Sequence, residues 1–126
     1  MEKNKKSILI VEDDSALRQV LTDKLSEEGF TVWGAIDGAQ GLKLANEKHP
    51  SLILLDIFMP IMDGVTMLKK LREDEWGKLV KVIVLSNLSD DSALARSMEK
   101  GVYDYLVKTD WKLEDVVAKI KERLVK

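Results

Sequence analysis

Short apolar runs alternate along the chain with stripes at helical spacing. Residues 7–11 form a continuous apolar run, the pattern of a strand buried on both faces. Glu12-Asp13-Asp14 stops it. Asp14 is placed to cap a helix whose inward positions are Leu17, Val20, Leu21 and Leu25. Gly29 falls where a helix C′ glycine belongs. Residues 31–35 predict a second strand, weaker in pattern and so nearer an edge. Asp37 caps a helix carrying Ala39, Leu42 and Ala45, and Pro50 marks its end.

The same alternation fills the second half. Residues 52–55 predict a strand ending at Asp56. Gly64 leads into a helix with Met67, Leu68 and Leu71 inward, closed by Trp76-Gly77. Residues 81–85 predict a strand ending in Ser86-Asn87. Ser89 can cap a helix with Leu94, Ala95 and Met98 inward, stopped by Gly101. The last strand, 104–107, is followed by Lys108. The final helix has the clearest stripe: Leu113, Val116, Val117, Ile120 and Leu124. Five strands, each followed by a helix, predict an α/β fold with a doubly wound parallel sheet and helices on both faces. Ligands bind such sheets beyond the carboxyl ends of the strands, where strand order reverses. Asp13, Asp56, Ser86 and Lys108 all fall at those ends.

Composition narrows the function classes. The chain has 126 residues, 45% hydrophobic and 33% charged, which predicts a single soluble globular domain over residues 1–126. No apolar run reaches the roughly 20 residues of a membrane span, and no signal peptide is expected. Cysteine is absent, which excludes disulfides and thiolate chemistry and suits a cytoplasmic location. A formal charge of −2 gives no general attraction to nucleic acid or an anionic membrane. Neither partner is expected.

Alone, each strand-tip residue would be an ordinary cap or solvated side chain. Together they are complementary. If the first and third strands are neighbours, Glu12, Asp13 and Asp56 bring three carboxylates into one pocket. Such a pocket protonates one acid or takes up a hard cation. Oxygen-only ligands favour Mg2+, or Mn2+, over zinc. His49 lies away from these tips and is expected to face solvent. Lys108 and Ser86 suit a phosphoryl group, and Asp56 is the nucleophile candidate because the others surround it. No glycine-rich nucleotide loop is present, so a nucleotide held by this chain is not the expected donor.

Over essentially its whole length the chain resembles the response-regulator receiver domains of bacterial two-component signalling. The residues that carry the resemblance are VEDD at 11–14, LLDIFMPIMDG at 54–64, VLSN at 84–87 and YLVK at 105–108. The resemblance implies a flavodoxin-like sheet of strand order 2-1-3-4-5. It implies that Asp56 takes a phosphoryl group from the phosphohistidine of a sensor histidine kinase or phosphotransfer protein. Asp13 would ligate Mg2+ directly, Glu12 largely through water, and Phe58 through its backbone carbonyl. Ser86 would grip the phosphoryl group, Tyr105 would turn inward with it, and Lys108 would pair with the phosphate. Residues 89–126 would carry the output surface for an effector protein or output domain.

Some positions depart from the family pattern. Thr109 follows Lys108 where proline is usual, and Asn87 stands beside the phosphate site where alanine or glycine is usual. Glu114 stands near a position where many DNA-binding members carry an arginine of the dimer contact. Phe58 and Leu88 are both apolar and cannot orient an attacking water, so a long-lived phosphoryl group is expected. No turnover of an external substrate is expected. The alternatives are a Mg2+-dependent phosphohydrolase with a transient aspartyl phosphate, and a receiver-like interaction module that no longer needs phosphate.

Overall fold

The computed structural model describes residues 6–56, 64–86, 104–107 and 112–125. Their strands are β1 (Ser7–Val11), β2 (Thr31–Ala35), β3 (Leu52–Asp56), β4 (Lys81–Ser86) and β5 (Asp104–Val107). Their helices are α1 (Ser15–Glu27), α2 (Gly38–Lys48), α3 (Gly64–Arg72) and α4 (Leu113–Val125). All strand pairs are parallel, in the order β2-β1-β3-β4-β5. The order matches the one implied by the family resemblance, and β2 lies at the edge, as its weaker pattern predicts. The helix expected from Ser89 lies outside the described residues, as do Phe58, Asn87, Leu88, Lys108 and Thr109.

Side chains alternate across a strand, and this divides the core into two layers. Leu9, Val11, Ile53, Leu55, Val82 and Val84 pack with Ala45 of α2 and Met67, Leu68 and Leu71 of α3. Ile8, Ile10, Leu52, Leu54, Ile83 and Leu85 pack with Leu21 and Leu25 of α1 and Val116, Val117 and Ile120 of α4. Each central strand is apolar on both faces because each face has its own pair of helices.

The caps follow local chemistry. Asp14 Oδ1 accepts from the Ala16 and Leu17 amides at 3.0 and 3.2 Å. Asp37 accepts from the Gln40 amide at 2.8 Å, and Gln40 Oε1 accepts in return from the Ile36 amide at 2.8 Å. Gly29 ends α1 with a φ of 99°. The Phe30 amide reaches Leu25 O and the Gly29 amide reaches Ser26 O, a Schellman closure that needs the left-handed residue.

Three expectations are corrected. Val20 is 49% exposed; it lies about 100° round the helix from Leu21, beyond the stripe that meets the sheet. Ala39 is exposed, and the buried positions of α2 are Gly38, Gly41 and Ala45. A Cβ on Gly41 would come within 2.8 Å of Val11 Cγ2, so the missing side chain is what lets α2 approach β1. Finally, α3 ends at Arg72, before Trp76-Gly77, and the intervening turn is held by side chains. Asp74 Oδ2 accepts from the Trp76 amide at 3.1 Å, while Arg72 Nη1 donates to Gly77 O and Val80 O at 2.6 and 2.8 Å.

The α1 and α4 ends are joined by charge. Lys121 Nζ lies 2.5 Å from Glu28 Oε1 at the C-cap of α1, and Lys24 approaches Glu28 Oε2 at 3.8 Å. The Lys121 hydrogen bond and charge, helped by Lys24, hold the Glu28 carboxyl below its ordinary value of 4.5. A lowered folded-state pKa contributes stability above the unfolded value, and that stability is lost as pH falls through the folded value. Glu28→Gln is therefore expected to flatten the fall in thermal midpoint below pH 4.5, measured by circular dichroism melts. An unchanged acid limb would contradict this assignment.

Candidate functional site

The candidate site grows from the end of β1. The Glu12 amide continues the ladder by donating to Ala35 O at 3.0 Å. The Glu12 carbonyl accepts from Arg18 Nη1 at 2.7 Å, and its Oε2 accepts from the Asp14 amide at 3.1 Å. Glu12 is only 1% exposed. Asp13, next in the chain, is exposed. The chain thus turns one acid inward and the next outward at the rim.

Sheet register brings the other tips alongside. Val11 pairs with Leu55, so one residue further Glu12 is level with Asp56 on the neighbouring strand. Asp56 pairs with Leu85, which sets Ser86 one position beyond it, and Ser86 pairs with Val107. Lys108 is the next residue in the chain and, with Phe58, lies outside the described residues. Tyr105 is on β5, paired with Val84. Because β2 lies on one side of β1 and β3 on the other, the strand order reverses between β1 and β3. That is the crevice where open α/β sheets bind ligands.

The chemistry of this edge follows from the residue types. Neighbouring strands run about 4.8 Å apart. Two carboxylates at about 5 Å repel by roughly 3 kcal/mol at an effective dielectric of 20. Glu12, Asp13 and Asp56 offer oxygen donors only, the set suited to a hard divalent cation. His49 is exposed and stacks on Trp76 at 4.3 Å and 11°. It precedes β3 and Trp76 precedes β4, so both belong to the opposite edge of the sheet.

Sequence reasoning missed two residues of this region, Arg18 and Gly34. A Cβ on Gly34 would lie 3.3 Å from Arg18 Cδ and 3.6 Å from its Cγ. Nothing in helical periodicity marks an arginine that bends over a neighbouring strand. The pairing of Gly34 with Ile10 becomes informative only once β2 is known to lie beside β1.

The response regulator receiver domain model matches residues 8–121. The chain is 37% identical over 108 residues to the Cyanophora paradoxa protein named "Probable transcriptional regulator ycf27", covering 86% of this chain and 44% of that protein. It is 34% identical over 124 residues to the DNA-binding response regulator MtrA of Mycobacterium tuberculosis, covering 98% of this chain and 53% of that one. The chain thus spans about half the length of these curated relatives. The receiver domain of the sensor histidine kinase PA1611 from Pseudomonas aeruginosa, described with magnesium in its active-site cleft, superimposes with a TM-score of 0.88. That match has 25% identity and covers 97% of this chain and 99% of that one. Among the described residues no helix is long and apolar enough to cross a membrane. With strand order, apolar register and the acids at the strand tips all agreeing with these matches, the chain belongs to the response regulator receiver domains of two-component systems.

Proposed function

We propose that the chain is a phosphorylation-controlled switch in which Asp56 is the acceptor. The observation that carries this reading is the register placing Glu12, Asp56 and Ser86 together at the crevice between β1, β3 and β4. The donor is the phosphohistidine of a sensor histidine kinase or of a phosphotransfer protein, and the chain works in the cytoplasm. An Asp56 carboxylate oxygen attacks phosphorus, the P–N bond breaks as the P–O bond forms, and the imidazole leaves to be protonated.

Asp13, Glu12, Asp56 and the Phe58 carbonyl would hold Mg2+, with Glu12 acting largely through water. The all-oxygen donor set fits that ion. When bound, it would neutralise charge on the incoming phosphoryl oxygens. Lys108 supplies a second positive charge to those oxygens, and the Ser86 hydroxyl donates a hydrogen bond to one of them. An aspartyl phosphate that meets Ser86 and Lys108 in only one conformation shifts a two-state equilibrium by that difference. Tyr105 follows Ser86, and the face formed by residues 89–126 passes the change to an effector protein or output domain.

Beryllofluoride with Mg2+ mimics the phosphoryl group and tests this without a kinase. Amide NMR shifts are expected around Asp56, Ser86 and Tyr105 in the native chain and not in Asp56→Ala. A native chain whose spectrum does not respond would overturn the reading.

A further inference from the structure

We infer that Arg18 is the positioning residue for the acidic pair, and that Gly34 is the gap in β2 that lets it act. The inference rests on the reading that Glu12 and Asp13 hold a hard cation. Arg18 sits in the first turns of α1, and its stem crosses β2 where a side chain at position 34 would stand. An ideal Cβ there would lie 3.3 Å from Cδ, 3.6 Å from Cγ and 3.7 Å from Nε. From that path Nη1 donates to the Glu12 carbonyl at 2.7 Å.

That carbonyl belongs to the peptide joining Glu12 to Asp13. A trans peptide is planar and stiff, so fixing its oxygen also fixes where the Asp13 amide lies and the direction in which the Asp13 side chain leaves. The rest of the turn is pinned independently. Glu12 donates to Ala35 O, and its Oε2 accepts from the Asp14 amide. Asp14 caps α1, and the Arg18 amide donates to Asp14 O at 2.9 Å. Arg18 thereby closes a ring from the helix back to the strand end, with exposed Asp13 held between two anchored residues.

Charge and positioning make opposite predictions here. The guanidinium is permanently positive, so by charge alone its removal would strengthen cation binding at the adjacent acids. If Arg18 works by orienting the Glu12–Asp13 peptide, its removal weakens binding. Arg18→Met keeps a stem of similar shape across Gly34 and deletes the guanidinium, donor and charge together, so the sign of its effect separates the two accounts. A charged hydrogen bond of this kind corresponds to about tenfold in affinity.

The test is titration of the full chain with magnesium chloride, followed by amide NMR at residues 12–14 and 56, with a thermal melt for each variant. Arg18→Met is expected to weaken Mg2+ binding about tenfold, and Arg18→Lys to recover most of it. Gly34→Val displaces the stem while retaining the Arg18 guanidinium and its charge, and valine favours a strand. It is expected to weaken binding without lowering the thermal midpoint. Affinity equal to or tighter than native in Arg18→Met overturns the inference. If Asp13→Asn loses binding while Gly34→Val and Arg18→Met do not, only the inference falls. A native chain that binds no Mg2+ overturns the metal reading and the inference together.

Discussion

The Asp56→Asn chain is expected to take up no phosphoryl group from acetyl phosphate in Mg2+, whereas the native chain does so. An amide oxygen lacks the negative charge that makes a carboxylate a nucleophile, and the Glu12 carboxylate is buried and accepts from the Asp14 amide. Stability is expected to move the opposite way. Asp56 is level with Glu12 on the neighbouring strand, and one carboxylate fewer at this end of the sheet is expected to raise the stability of the metal-free chain, since two carboxylates at about 5 Å repel by roughly 3 kcal/mol at an effective dielectric of 20. Intact-mass spectrometry reads the first effect and a thermal melt in a chelator reads the second. Phosphoryl uptake by Asp56→Asn at the native level would place the acceptor elsewhere.

Gly77→Ala is expected to be the most destabilising single-methyl change at a described glycine. A Cβ at Gly77 would meet the carbonyl oxygen of Leu71, and Leu71 is 1% exposed in the core. No rotamer relieves a clash with backbone at the end of α3. The turn itself is also tethered by Arg72 to Gly77 O and Val80 O. Overpacking of this kind costs about 3 kcal/mol, or roughly 10 °C in thermal midpoint for a chain of this size. Gly29→Ala makes a useful contrast. Nothing lies within 4 Å of its added Cβ, and only its φ of 99° opposes the change, so its cost is expected to be about 1–2 kcal/mol. Equal loss at the two sites, measured by urea denaturation, would contradict the close-approach account of Gly77.

Much of the framework was legible because local patterns carry it. The run at 7–11 and the run at 52–55 signalled strands buried on both faces, and Ile8, Leu9, Ile10, Val11 and Leu52, Ile53, Leu54, Leu55 are all buried. Asp14, Asp37 and Gly29 marked helix ends by chemistry acting over two to four residues. The acids that follow β1 and close β3 were visible as carboxylates ending apolar runs. Periodicity failed where a side chain's fate depended on a distant partner. Val20 is apolar but falls beyond the edge of the α1 stripe, and Gly41 carries no hydropathy signal although its lack of a Cβ admits Val11.

By itself, then, the sequence determined the element types, the strand–helix alternation that demands a parallel sheet, and the residue chemistry at each strand end. Pattern alone did not say which strands are neighbours; strand order came from the likeness of four motifs to a known family. Tertiary structure decided the register that makes Glu12 level with Asp56, and the route of Arg18 over Gly34 to the Glu12 carbonyl. The reason is physical. Hydropathy periods and caps report interactions within a turn or two of chain, whereas register and close approach depend on side chains from separate elements filling one space.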